Sequence, residues 1–202
     1  MAPGVKGSTY RQQQAMQTRE RIADAARLLF ARNGYSATSI DAIASEAGVA
    51  VRTVYTTFGA KREILSAICE RWLEQARARE RATETMAVPG TRDRLRAAAH
   101  WLANLYGCGF DVVTILDGAM GEDEPTREML RAKLRGRNHV MDSFIESVDD
   151  DLRVPLADAR AIYRAVAAPG VYRELVVETG WTTEAFEKWV GDILVEQLLG
   201  RP

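Results

Sequence analysis

The chain has 202 residues, 47% hydrophobic and 27% charged, which is enough apolar material for one large core or two small ones. No apolar run approaches the roughly 20 residues of a membrane span, and none follows Lys6 and Arg11, so neither a membrane partner nor a signal peptide is expected. The net charge of −1 conceals an asymmetry: residues 1–62 carry nine Lys/Arg against four Asp/Glu, and residues 63–202 carry 18 against 24. A basic end on an acidic body suits a first part that meets a polyanion. Cys69 and Cys108 stand alone, as in a reducing compartment, so the cytoplasm is the expected location.

In chain order, "QTRERIADAARLLFARNG" places Ile22, Ala25, Ala26, Leu29 and Phe30 at helical spacing, with Gly34 as a stop. In "TSIDAIASEAG", Ile40, Ile43, Ala44 and Ala47 form one stripe that ends at Gly48. Thr38 with Asp41 resembles a capping box, with Ser39 as the other candidate cap. A tight turn at Gly48-Val49 then leads into "VRTVYTTF", a short third helix. From Ala60 a long helix carries Ile64, Leu65, Ile68, Trp72 and Leu73 and runs into "EQARARERATE". "MAVPGT" breaks it, and Thr91 caps a helix bearing Leu95, Ala98, Leu102 and Leu105.

"FDVVTILDGAM" reads as a short apolar helix between glycines. "GEDEP" feeds acidic charge and a proline into the next helix start, which suits the N-terminal dipole. That helix carries Met129, Leu130, Leu134, Met141, Phe144, Ile145 and Val148 and ends at Asp149-Asp150-Asp151. After Pro155 another follows, interrupted at Pro169-Gly170, and Thr182 opens the last. No segment alternates with period two between turn signals, so the fold class is all-α, with about nine helices and no internal repeat.

Two short helices joined by a glycine turn in a basic region have the form of a helix-turn-helix. With Val54 and Phe58 turned to the core, Arg52 and Thr56 point away, Thr53 and Tyr55 flank them, and Val51 lies between the faces. Arginine pairs bidentately with guanine, and hydroxyls suit phosphate oxygens. Residues 47–62 contain no carboxylate to repel a phosphate backbone.

The segment from Thr18 to Leu65 resembles the N-terminal domain of the TetR family of transcriptional regulators. The resemblance rests on the run from Ala26 to Phe30, Gly34-Tyr35, Thr38, Ile43-Ala44, Ala47-Gly48-Val49, Thr53-Val54-Tyr55, Phe58, Lys61 and Leu65. It implies an N-terminal arm and a three-helix DNA-binding domain together over residues 1–62, and a helical ligand-binding and dimerisation domain over 63–202. DNA contacts are implied for Ser39, Val51, Arg52, Thr53, Tyr55, Thr57 and Lys61, with Ser39 and Lys61 near phosphates. This sequence departs from the family pattern at Ala50, where a capping Ser or Thr is usual, at Thr57, and at Gly59-Ala60.

The resemblance also places Trp101, Tyr106, Phe110, Met120, Met141 and Phe144 around a ligand cavity, with His100, Asp111 or His139 as a polar group. The last two long helices, around 156–179 and 183–199, are expected to form the dimer contact, with Leu175, Val176, Phe186, Trp189, Ile193 and Leu194 as candidates. The expected function is a sequence-specific repressor, a homodimer on double-stranded operator DNA, released by a small-molecule effector. The alternative is a helical protein-interaction module without DNA binding. His100, His139, Cys69 and Cys108 lack metal-ligand spacing, and no phosphate loop or nucleophile elbow is present, so no metal, no cofactor and no catalysis is expected.

Overall fold

The computed structural model describes residues 5–199, with side chains from Tyr10 onward, so the tip of the N-terminal arm and the side chain of Lys6 lie outside the described residues. Eleven α-helices and no strand occur among them: α1 (Val5–Asn33), α2 (Ile40–Ala47), α3 (Val51–Phe58), α4 (Lys61–Gln75), α5 (Ala78–Ala87), α6 (Thr91–Gly107), α7 (Phe110–Gly118), α8 (Glu124–Glu146), α9 (Leu156–Val166), α10 (Pro169–Tyr172) and α11 (Thr183–Leu198). Short 3-10 turns span Ala119–Gly121 and Asp149–Asp151, and a π turn spans Arg173–Glu178.

The chain divides into two compact units. Residues up to Arg71 join Thr114–Arg127 in the first, and Trp72–Val113 joins the residues from Glu128 onward in the second. The first unit is built on Ile22, Ala26, Phe30, Ile43, Val54, Ile64 and Leu65, all buried at the helical spacing of the sequence. Leu29 is only half-buried. The second unit buries Leu95, Leu102, Tyr106, Phe144, Ile145, Tyr163 and Phe186. Each such side chain contributes about 1.5–3 kcal/mol when removed from water.

The helix count exceeds the expected nine because two long helices break. The helix expected to run from Ala60 through "EQARARERATE" stops at Gln75, where Arg77 adopts a left-handed conformation with φ 49°. Side chains of α6 hold the break: Asn104 Nδ2 donates to the freed Ala76 O at 2.8 Å, and Trp101 Nε1 adds a bond to Ala78 O, at the start of α5, at 2.8 Å. A helix end whose carbonyls are satisfied this way carries little penalty. The second extra break falls at Ala167-Ala168, ahead of Pro169, which takes the first position of α10.

Two expected caps also move. Thr38 is buried and its hydroxyl donates to Gly34 O at 2.8 Å, so Ser39 alone caps α2, accepting from Ala42 N at 3.1 Å. Gly90 caps α6 in place of Thr91, whose hydroxyl is used on the Asp151 carboxylate. Thr182 caps α11 as expected, accepting from Ala185 N at 3.1 Å. Phe186 and Leu194, expected at a subunit interface, have no exposed surface and belong to the second unit's own core. Leu175, Val176, Trp189 and Ile193 are half-buried, while Val177 and Trp181 are exposed.

Candidate nucleic-acid interface

The turn between α2 and α3 is set by Gly48, whose φ of 61° and ψ of 42° lie in the left-handed region. Gly48 N–H closes onto Ala44 and Ser45 carbonyls, and Val49 N donates to Ala44 O at 2.9 Å. This is a Schellman-type ending with an added side chain. Arg21 of α1 donates through Nη2 to Ala47 O and, at 3.2 Å, to Gly48 O. Thus α1 holds the turn that fixes how α3 follows α2.

The other end of α3 is held from the same helix. Arg19 Nη1 donates to Thr57 O at 3.1 Å, and its guanidinium lies 4.2 Å from the centroid of the Phe58 ring. Ala50 gives the helix no side-chain cap. Packing of Val54 and Phe58 and the Arg19 contact stand in for a missing N-cap, whose usual worth is about 0.5–2 kcal/mol.

The outward face of α3 carries Arg52, Tyr55 and Thr56, all exposed, with Val51, Thr53 and Thr57 half-buried beside them. Among the described residues, Arg52 has neither an ion pair nor a hydrogen-bond partner, and the Tyr55 hydroxyl has none either. Thr56 and Thr57 differ: both hydroxyls donate to Thr53 O, at 3.1 and 2.7 Å. Their protons are used inside the helix, so they meet an outside group as acceptors or through their methyls. Ser39 accepts the Ala42 N–H and keeps its hydroxyl proton available for an acceptor.

Lys61 starts α4 and is half-buried. Its Nζ donates to Tyr35 O at 2.7 Å, Thr38 O at 3.1 Å and Ser36 O at 3.5 Å, and lies 4.2 Å from the Tyr35 ring centroid. Burial pushes its pKa below the ordinary value, against the nearby charges of Glu122 and Asp123. The ammonium ties down the loop from which Ser39 emerges. Glu122 accepts the Ser36 hydroxyl on that same loop. Asp123 caps α8 by accepting from Thr126 N at 2.8 Å, and hydrogen bonding with Thr126 holds its carboxyl below the usual range.

Residues 22–68 match the family profile described as bacterial regulatory proteins, tetR family. This span resembles the N-terminal domain of that family. The matched span covers α2, α3, most of the packing face of α1 and the start of α4. No curated protein matches the sequence. Among solved structures, FadR from Bacillus subtilis in complex with stearoyl-CoA is 18% identical, with a TM-score of 0.73 over 88% of this chain and 98% of that one. SmeT bound to triclosan is 22% identical, with a TM-score of 0.71 over 90% and 91%. A Saccharomonospora viridis protein in complex with choline is 20% identical, with a TM-score of 0.70 over 91% and 98%. At these identities the likeness shows a shared fold alone, and no helix among the described residues is long and apolar enough to cross a membrane.

The residues expected at a ligand site fall unevenly in this TetR-type fold. Trp101, Tyr106, Phe110, Met141 and Phe144 lie in the second unit, and Met120 in the first. Trp101 meets Phe144 edge-on at 5.5 Å; Tyr106 meets Phe110 at 5.6 Å and Tyr172 at 5.2 Å. Met141 is fully buried. His100 sits at the surface, 3.2 Å from Arg81 Nη1 and 2.9 Å from Glu187 Oε2. An open cleft of about 430 Å³ in the second unit is lined by Gly90, Thr91, Arg92, Asp93, Asp151 and Leu199, none of them expected at a site.

Sequence reasoning missed the polar centre of the second unit. Tyr106 donates to Ala167 O, Tyr163 donates to Ala98 O at 2.7 Å, and Arg137 Nη1 donates to the Tyr106 hydroxyl at 3.1 Å. Burial pushes the Tyr163 hydroxyl far above its ordinary pKa; the nearby Tyr106 adds to this and the Arg137 charge opposes it. Arg137 stands on α8 four residues before Met141 and seven before Phe144, on the apolar stripe. A charged residue at a stripe position was the available signal.

Proposed function

We propose that the chain is a cytoplasmic, homodimeric, sequence-specific repressor whose hold on operator DNA is released by a small molecule. Residues 1–62 carry DNA binding and residues 63–202 carry ligand binding and dimerisation. One observation carries the DNA part: Arg52 stands exposed and unpartnered on a carboxylate-free helix face whose two ends are fixed by Arg21 and Arg19. An arginine kept free on a rigid helix is suited to read guanine in a major groove, with α3 as the reading helix. Ser39, Val51, Thr53, Tyr55 and Thr57 complete the DNA-facing set, and Lys61 serves it by holding the loop before Ser39.

Two copies must present their reading helices about 34–36 Å apart to enter successive major grooves. Ligand release then requires only that the effector bind a differently spaced dimer better than the DNA-competent one, and DNA lowers effector affinity by the same factor. Helices α4, α7 and α8 each contribute residues to both units, so these segments connect effector and DNA binding. Relatives of the same fold in complex with stearoyl-CoA and with triclosan support a ligand-responsive reading.

The test is binding to the DNA upstream of the protein's own gene, measured by fluorescence anisotropy at two salt concentrations. A steep salt slope and a preference for one palindromic site are expected. Arg52→Ala should cost roughly 1–3 kcal/mol and relax preference at one base pair per half-site. Undiminished operator binding by Arg52→Ala would overturn the assignment of α3 as the reading helix.

A further inference from the structure

Arg137 has no carboxylate partner among the described residues. Of the five N–H bonds a guanidinium offers, it uses one on the Tyr106 hydroxyl at 3.1 Å and one on Asn138 Oδ1 at 3.2 Å. Its Nε–H is buried and donates to nothing. Arg160 of the same unit also leaves its Nε–H buried and unused, but it is paired with Glu146, as Arg164 is with Asp142; Arg137 differs in having no such carboxylate. A cation left half-buried with an unused buried donor is costly unless something neutralises it.

The surroundings limit what that something is. The Tyr106 hydroxyl spends its proton on Ala167 O, so toward Arg137 it is an acceptor only. On one side of Arg137, Tyr106 begins an aromatic chain through Phe110 and Tyr172, whose rings lie 4.7 Å apart. Met141 and Phe144, four and seven residues further along α8, are fully buried. A planar fork of donors beside apolar surface matches a carboxylate with an apolar tail.

We infer that Arg137 is the head-group site for the effector, which is an organic monocarboxylate whose apolar tail packs against the half-buried ring of Phe110. This rests on the ligand-responsive reading above. The carboxylate takes the unused Nε–H and an Nη–H together, and the desolvated charge is neutralised only when the effector is present. The choline cation bound by one relative is the opposite charge and is excluded here.

The test uses the full chain and two skeletons in three charge states: decanoate and 4-phenylbutyrate, their amides, and the corresponding amines. Thermal unfolding and tryptophan fluorescence are measured on the parent, Arg137→Met and Arg137→Gln. The acids should bind the parent about tenfold or more tightly than the amides, and the amines should not bind. Both variants should lose the preference for acid over amide, while Arg137→Met alone should melt no lower than the parent because it removes an unneutralised charge. A preference that survives in either variant overturns the inference, as does amine binding equal to acid binding, or no binding by either acid. A final arm adds operator DNA. Acids that bind through Arg137 yet leave DNA bound would confirm the site and refute ligand-driven release.

Discussion

Replacing Lys61 by methionine separates two ways in which this residue can serve DNA binding. A lysine at a phosphate contributes to the salt dependence: its removal flattens the slope of log K against log salt by about 0.9. In the structure its ammonium is already engaged by the carbonyls of Tyr35, Ser36 and Thr38. Two of these bonds are short enough to matter, at 2.7 and 3.1 Å. A hydrogen bond from a charged donor is worth about 1.5–3 kcal/mol net, and an exposed cation–ring contact about 0.5–1 kcal/mol. The site is half-open to water, which replaces part of what is lost, and burial of the ammonium is relieved. A net destabilisation of roughly 2 kcal/mol remains, or about 4–8 °C in Tm for a chain of this size. DNA affinity should fall alike for all sequences, because the loop before Ser39 loosens, while the salt slope changes by less than half of the phosphate value. Thermal unfolding and anisotropy over a salt series measure both. Unchanged stability together with a full loss of about 0.9 in slope would refute the loop role and place Lys61 on a phosphate.

Asp123→Asn should remove part of the acid sensitivity of the first unit. The folded carboxyl titrates below its ordinary value of 3.8, so between the two values the unfolded chain binds more protons. Its stabilisation is complete above about pH 4 and is lost as pH falls through the folded value; urea unfolding from pH 5 to pH 2 should show a shallower acid limb in the variant, and an identical limb would contradict it. Val177→Arg should give a folded monomer, because Val177 is 57% exposed within one chain and lies between the apolar Val176 and the last helix. Sedimentation velocity with far-UV circular dichroism checks this, and a variant that stays dimeric would move the interface elsewhere.

The helix-turn-helix was legible in the sequence because its determinants are local. Gly48 is needed for a left-handed turn, the stripe of Ile43, Ala44 and Ala47 repeats at helical period, and Val54 with Phe58 fixes which side of α3 faces water. The face carrying Arg52 follows from that periodicity alone. What the sequence left open depends on partners distant along the chain. Arg19 and Arg21 read as ordinary surface arginines of α1 until the fold brings Thr57 and Gly48 to them. Lys61 is an exposed helix start by pattern but lies under three carbonyls of a loop some 25 residues earlier.

The same distinction explains the helix break at Arg77. Local propensity favours a continuous helix through "EQARARERATE", and the break is held by another helix, through Asn104 on the freed Ala76 carbonyl and Trp101 on Ala78 O. It also explains the second unit. Hydrophobic period gave its helices and most of its buried residues, but an inward-facing side chain is inward whether it meets its own chain, a second copy or a ligand. Phe186 and Leu194 proved to be core, and Arg137 proved to be a half-buried cation without a carboxylate, because a three-dimensional neighbourhood decides which charges are paired. The sequence by itself determined the short helix α3 and its outward face, through short-range periodicity and turn chemistry; the tertiary structure decided which polar groups are already satisfied, since that depends on contacts between residues far apart in the chain.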